Sequence, residues 1–130
     1  MKNLFLITLC SLLFILTALP QVHEEMRAVI DSAATNSDTL DIGYKQLMSI
    51  TFPSTFTGAT VSIYHSNYLD SAFVPLAKAD GSGVFTVTAL DGYTVPVEPL
   101  KTYFIRRYIY IKSVSAEAGQ RILIVDKGVL

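Results

Sequence analysis

His23 and His65 are the two histidines of this chain, and metal binding is the first chemistry to ask of them. They lie in unrelated parts of the sequence, with no cysteine or carboxylate cluster to complete a zinc ligand set. His65 falls near the end of an alternating run, beside Ser66 and Asn67, where an exposed or capping role is expected. Glu24 and Glu25 are adjacent and diverge, so they read as a solvated face and not as a proton-sharing pair. The stretch Asp80-Gly81-Ser82-Gly83 suggests a calcium loop, but an EF-hand needs acidic residues at alternate positions and a closing glutamate, and Ser82 and Val84 do not supply them. It is no phosphate cradle either, because no Lys-Ser/Thr follows it and no helix begins there. No Gly-x-Ser-x-Gly elbow exists, and the one cysteine, Cys10, sits inside an apolar run, so nucleophilic catalysis lacks its parts. The expectation is a non-enzymatic protein with no catalytic residue, no cofactor and no metal.

The richest polar and aromatic cluster is Tyr103, Arg106, Arg107, Tyr108 and Tyr110. Tyrosine and arginine together suit a contact between subunits, which is the candidate role assigned to these five residues. Two other readings stand beside it: binding of a sugar, and tyrosines that serve only as good strand formers on an outer sheet face.

The elements that must position these residues are strands. TLDIGY sets Leu40, Ile42 and Tyr44 on one face. After a jog at Lys45-Gln46, MSITF sets Met48, Ile50 and Phe52 on one face, and Pro53 stops it. In ATVSIYHS, Ala59, Val61 and Ile63 face inward while Thr60, Ser62 and Tyr64 face outward, the alternation of a half-buried strand. FVPLAKADGSGVFTVTA reads as a hairpin from Phe73 to Ala89 turning at Asp80–Gly83. YTVPVEPL is extended, but Pro96 and Pro99 remove ladder donors, which places it at an edge or in a loop. RRYIYIKSV and QRILIVDKG complete the set, with Ile109 and Ile111 pointing opposite to Tyr108 and Tyr110. Seven or eight short strands with frequent turns predict an all-β module, an antiparallel sandwich or jelly-roll-like fold over 35–130.

Two segments precede that module. From Leu4 to Leu19 no charged residue occurs, and Lys2 comes before them. This layout fits a secretory signal, although Leu16 and Leu19-Pro20 make a poor processing site. As a bilayer span it is short, rising about 24 Å as a helix against a hydrocarbon core of roughly 30 Å. A retained segment docked among protein subunits is the third reading of this leader, 1–20. Then 21–34 places Val22, Met26, Val29, Ile30 and Ala33 at helical spacing, which predicts a short amphipathic helix or linker. With 130 residues there is room for one domain, and a net charge of −1 leaves no electrostatic footprint for nucleic acid. Charged residues are only 16% of the chain, a sign of surface covered by partners.

NSDTLDIG, LMSITFPSTFTGATVSIYHS, FVPLAKADGSGVFTV and RRYIYIKSVSAEAGQRILIV follow one another in this chain. Together they resemble small virion proteins of tailed bacteriophages. Those proteins open with T-S-x-x-I-D-L-G, continue with P-x-x-x-x-G-x-x-L-x-F-x-x-S and F-x-P-L-x-x-x-D-G, and close with Y-I-R-I-x-S and Q-x-x-R-x-I-x-L-V. Ser37, Leu40, Asp41 and Gly43 match the first piece, and Pro53, Gly58, Val61 and Ser66 the second. Phe73, Pro75, Leu76, Asp80 and Gly81 match the third, and Ile109, Ile111, Ser113, Gln120 and Arg121 the last. The resemblance covers 35–130, and the apolar leader departs from its pattern.

What the resemblance implies is a structural piece of a phage particle, a minor capsid, cement or head-decoration subunit. Its partners would be capsid or other virion proteins and further copies of itself in a homo-oligomer, with no nucleic acid contact. The alternative expectation is a secreted or membrane-anchored bacterial binding module, with carbohydrate as a ligand class and a membrane contact through Leu4–Leu19.

Overall fold

The computed structural model describes residues 23–43, 45–97 and 105–128. Their nine strands are β1 (Glu24–Ile30), β2 (Leu40–Asp41), β3 (Gln46–Thr51), β4 (Thr60–Ser66), β5 (Val74–Pro75), β6 (Thr86–Thr88), β7 (Thr94–Pro96), β8 (Tyr108–Ser113) and β9 (Arg121–Gly128). They form an antiparallel β-sandwich. One sheet has four strands in the order β1-β9-β3-β7, and the other has five, β2-β8-β4-β5 with β6 also on β4. The 1–20 leader, Tyr44 and Pro99 lie outside the described residues.

Alternation builds the core. Val61 and Ile63 of β4, Ile109 and Ile111 of β8, and Leu123 and Val125 of β9 all turn inward and are at most 1% exposed. Ile42, Ile50, Phe52 and Ile30 fill the layer between them. Each fully buried branched side chain contributes roughly 1.5–3 kcal/mol through removal from water. β-branched residues dominate because they pack well on a pleated surface.

The helix expected over 21–34 is not formed among its described residues, 23–34. Glu24–Ile30 is β1, paired along its whole length with β9 from Glu24↔Lys127 to Ile30↔Arg121. Met26 and Ile30 satisfy both periods: in the strand they share a face with Ala28, where Ala28 and Ile30 are buried and Met26 half-buried, while Glu25 and Arg27 are exposed. A partner strand decides between the two, since β9 would otherwise present a bare edge, and the sandwich therefore begins before residue 35. Three smaller corrections follow from register. A bulge between Leu47 and Ser49 turns Leu47, not Met48, into the core beside Ile50. Ala59 is exposed, because β4 begins only at Thr60. His65 is buried, not exposed or capping: it continues the inward face of Val61 and Ile63 and is 8% exposed.

The expected hairpin from Phe73 to Ala89 is formed only at its tip. Lys78 N–H donates to Gly83 O and Gly81 N–H to Lys78 O, and Gly81 takes a φ of +71°, which glycine adopts without strain. Its arms do not pair with each other beyond the Ala77↔Val84 bridge. Instead β5 and β6 both run antiparallel to β4, pairing Tyr64↔Pro75 and Thr60↔Thr88 on one edge. They are one edge strand interrupted by the 77–84 excursion. Pro96 lies on the opposite sheet's edge strand β7, where its missing donor costs no ladder bond.

Polar groups close both ends of the sandwich. At one end Lys127 of β9 reaches across to donate to Asp41 O at 3.1 Å and lies 3.6 Å from Glu24, which also pairs with Lys45. At the other, Glu117 in the β8–β9 loop is 1% exposed. Its Oε2 accepts from Thr57 N–H at 3.1 Å and Thr57 Oγ1 at 2.8 Å. Its Oε1 accepts from Gly58 N–H at 3.2 Å and Ser113 Oγ at 3.4 Å. Its backbone holds the turn after β1, with Ala33 N–H donating to Glu117 O and Glu117 N–H to Ala34 O. Gly58 is required by close approach, because a Cβ there would run into Ser113 Oγ and the Phe56 ring.

Candidate functional site

The outer face of the five-stranded sheet carries the aromatic residues. Cross-strand register sets Tyr64 of β4 directly opposite Tyr110 of β8, Ser62 opposite Lys112 and Ser66 opposite Tyr108. The Tyr64 and Tyr110 rings stack with centroids 4.9 Å apart and planes 8° from parallel. Phe73, just before β5, tilts onto Tyr110 at 5.2 Å and 47°. Lys112 Nζ lies 5.5 Å from the Tyr64 ring centre, so a cation caps the row. Burial beneath these neighbours holds the Tyr110 phenol above its ordinary value of 10.0, and it remains a neutral hydroxyl through the physiological range.

Arg107 fixes one end of this face. Its guanidinium forks onto Asp41, with Nε 3.0 Å from Oδ1 and a terminal nitrogen 2.7 Å from Oδ2, and lies 5.1 Å from the Tyr108 ring centre. The Arg107 fork, followed by the Gly43 N–H, holds the Asp41 carboxyl below the usual carboxylate range. Arg106 is exposed, and its N–H donates to His65 Nδ1 at 3.2 Å. That bond leaves the second ring nitrogen to carry the proton of a neutral imidazole. Burial, and then the Arg106 charge, lower the His65 pKa from 6.5. Beside Arg107 and Tyr108 the 67–70 loop frames an open cleft of about 390 Å³ lined by Asn67, Tyr68, Leu69 and Asp70. Tyr68 and Leu69 are 67% and 63% exposed.

Of the five residues assigned to subunit contact, the structure gathers Arg107, Tyr108 and Tyr110 at this face. Arg106 stands at its end, and Tyr103 lies outside the described residues. The sequence reading missed Tyr64, Phe73 and Lys112 as members. Tyr64 carried a signal in its outward position in β4, but joining it to Tyr110 needs the β4–β8 register. Asp80 sits in the turn of the 77–84 excursion, where the Ser82 N–H bonds to its carboxylate and lowers its pKa. Among the described residues no three His, Cys, Asp or Glu side chains gather as a metal-ligand set, and no helix is long and apolar enough to cross a membrane.

No family model, curated protein or solved structure matches this chain. The arrangement offers contact area: flat aromatic surface, fixed cations and hydroxyl groups on a rigid sheet. Such surfaces recognise other molecules through burial and orientation.

Proposed function

We propose that this protein is a non-enzymatic structural subunit of a bacteriophage particle, of the minor capsid, cement or head-decoration type. It acts by adding contact area where shell subunits meet. The observation that carries this reading is the stacked row of Phe73, Tyr110 and Tyr64 with Lys112, immobilised on the outer face of a sheet. Aromatic rings already ordered in the free protein lose little entropy on docking, so the area they bury is available as binding energy. The resemblance over 35–130 supplies the kind of particle, and neighbouring virion proteins and further copies of this chain are the partners.

The test is incorporation. Particles purified from the source are examined for the chain by mass spectrometry, and a Tyr64→Ser/Tyr110→Ser variant of unchanged circular dichroism is offered in its place. The reading expects the parent in the particle and a loss of most of the variant. Absence of the parent, or parental incorporation of the variant, removes it.

A second reading, a secreted or membrane-anchored module that binds carbohydrate, draws on the cleft where Asn67, Asp70 and Arg107 stand beside Tyr108. Saturable glycan binding that Tyr108→Ala abolishes would favour it over the first.

A further inference from the structure

β1 is the outermost strand of the four-stranded sheet, with β9 on one side. From Glu24 to Ala28 no described strand pairs with its other side. Only its end is covered, where Val29 N–H donates to Asp38 Oδ1 at 2.7 Å and Asp38 N–H donates to Val29 O at 2.9 Å. Those two bonds settle which backbone groups aim outward. Alternation along the strand sends the amides and carbonyls of Arg27 and Glu25 the same way as Val29's.

The side chains of these residues stand exposed on the outer sheet face, and among the described residues neither has an ion pair. Glu25 instead lies directly opposite Asp126 of β9, a like-charge pair that weakens the sheet. Charges on an edge strand ordinarily discourage pairing with another edge. Here they are of opposite sign and two residues apart, the spacing at which an antiparallel copy of the same strand is complementary to itself.

We propose that β1 pairs with β1 of a second copy about a twofold axis at Met26, joining two four-stranded sheets into one continuous sheet. In this register Glu25 lies opposite the partner's Arg27, and Arg27 opposite the partner's Glu25. Both are hydrogen-bonded pairs, so they exchange backbone bonds that no described strand takes up. The partner's Arg27 also supplies the cation that the Glu25–Asp126 pair lacks. Other registers fail. Centring on Glu25 sets carboxylate against carboxylate. Centring on Arg27 sets guanidinium against guanidinium. A slip of one residue turns outward-facing backbone groups onto inward-facing ones and reverses the side-chain faces. The pairing rests on the topology of this sheet and not on the virion reading, and it leaves the aromatic face on the other sheet free.

The experiment uses the full chain with Cys10→Ser, so that an introduced cysteine is the only one. Met26→Cys places two thiols at a non-hydrogen-bonded pair, where Cα atoms about 4.5 Å apart suit a disulfide. Mild oxidation is expected to give a covalent dimer. Glu24→Cys, which this register sets opposite Ala28, is expected to give little. With the Met26→Cys reporter, Glu25→Arg or Arg27→Glu alone should lower the cross-linked fraction about tenfold or more, because ion pairs on both sides of the axis become like-charge pairs. The double exchange should restore it. Sedimentation of the same charge variants without the reporter guards against a cysteine that disturbs folding, and the same loss and rescue is expected there. Equal cross-linking at positions 24 and 26 would place the association elsewhere, the apolar run included, and overturn the proposal. So would a monomeric parent, or a double exchange that fails to rescue.

Discussion

Replacing Glu117 by glutamine keeps its shape and removes its charge, and the structure says what that should cost. Each carboxylate oxygen serves two donors, Thr57 N–H and Oγ1 at one, Gly58 N–H and Ser113 Oγ at the other. Whichever oxygen becomes an NH₂ group faces donors with a donor. A backbone N–H, buried at Gly58 or part-buried at Thr57, then loses its acceptor, a penalty of roughly 1–3 kcal/mol where water is excluded. The bonds at the remaining oxygen lose their charge assistance, and Arg121, whose Nε is 3.4 Å from Oε2 and without a hydrogen-bond partner, loses its counter-ion. Together these reach about 3–5 kcal/mol, the range for breaking a buried charged set by altering one member. For a domain of this size that lowers the melting temperature by at least about 12 °C. The assay is thermal unfolding by circular dichroism, followed by amide hydrogen exchange. The Thr57 and Gly58 amides should exchange faster by a larger factor than those of β4 or β9. A Glu117→Gln variant that melts within about 2 °C of the parent, or whose loop amides keep their protection, would refute the idea that this carboxylate holds the 53–59 loop to the β8–β9 loop.

Ile109 is fully buried, so Ile109→Asp places a carboxylate in the core with no partner, and cooperative unfolding should be abolished in a melting experiment. Gly58→Ala pushes a methyl group into Ser113 Oγ and the Phe56 ring, and should lower the denaturation midpoint by an amount worth roughly 1–3 kcal/mol. Tyr64→Ala and Tyr110→Ala, measured singly and together in urea, should show a coupling of about 0.5–1.5 kcal/mol from the stacked rings, and additivity would mean that they do not interact. His65 has a folded-state pKa below 6.5, so the unfolded chain takes up a proton before the folded one does. Its contribution is complete above pH 6.5 and is lost as the pH falls below that value toward the folded pKa. The melting temperature should therefore fall from pH 6.5 to 5, and His65→Gln should flatten that slope. The Glu24 and Asp41 carboxyls, held low by Lys45 and Arg107, act only below about 4.5.

Much of the sandwich could be read from alternation, because a period of two assigns side chains to faces without knowledge of pairing. Val61 with Ile63 and Ile109 with Ile111 were placed inward on that basis, and both pairs are core. The reading failed where two periods fit one segment. Met26 and Ile30 satisfy a helix and a strand alike, and only β9, almost a hundred residues later, decides for the strand. It failed again where one residue shifts register, as at Met48. Glu117 could not be found from sequence at all. A glutamate in a polar loop looks solvated, and its burial depends on four donors, three of them from the distant Thr57-Gly58 segment and one from Ser113 nearby. The candidate face was half legible: Tyr108 and Tyr110 share a strand with Arg107 just before it, whereas Tyr64 and Phe73 join them only through pairing with β4.

The distribution of polar groups separates what holds this protein together from what it offers to others. The ends of the sandwich are closed by charges that satisfy backbone: Lys127 on Asp41 O at one end, Glu117 on Thr57 and Gly58 at the other. These groups are spent internally. The outer face of the five-stranded sheet and the edge of β1 that no described strand covers are different. There the stacked tyrosines lie on the surface, and Glu25 and Arg27 stand exposed without a partner inside the described chain. Half-exposed aromatic area and a strand edge that no described strand covers both invite association. In an assembly the same features are useful and complementary, because one lies on a face and the other on an edge of the opposite sheet. A subunit could engage a neighbour through each at once, and contacts in two directions are what a repeating shell requires.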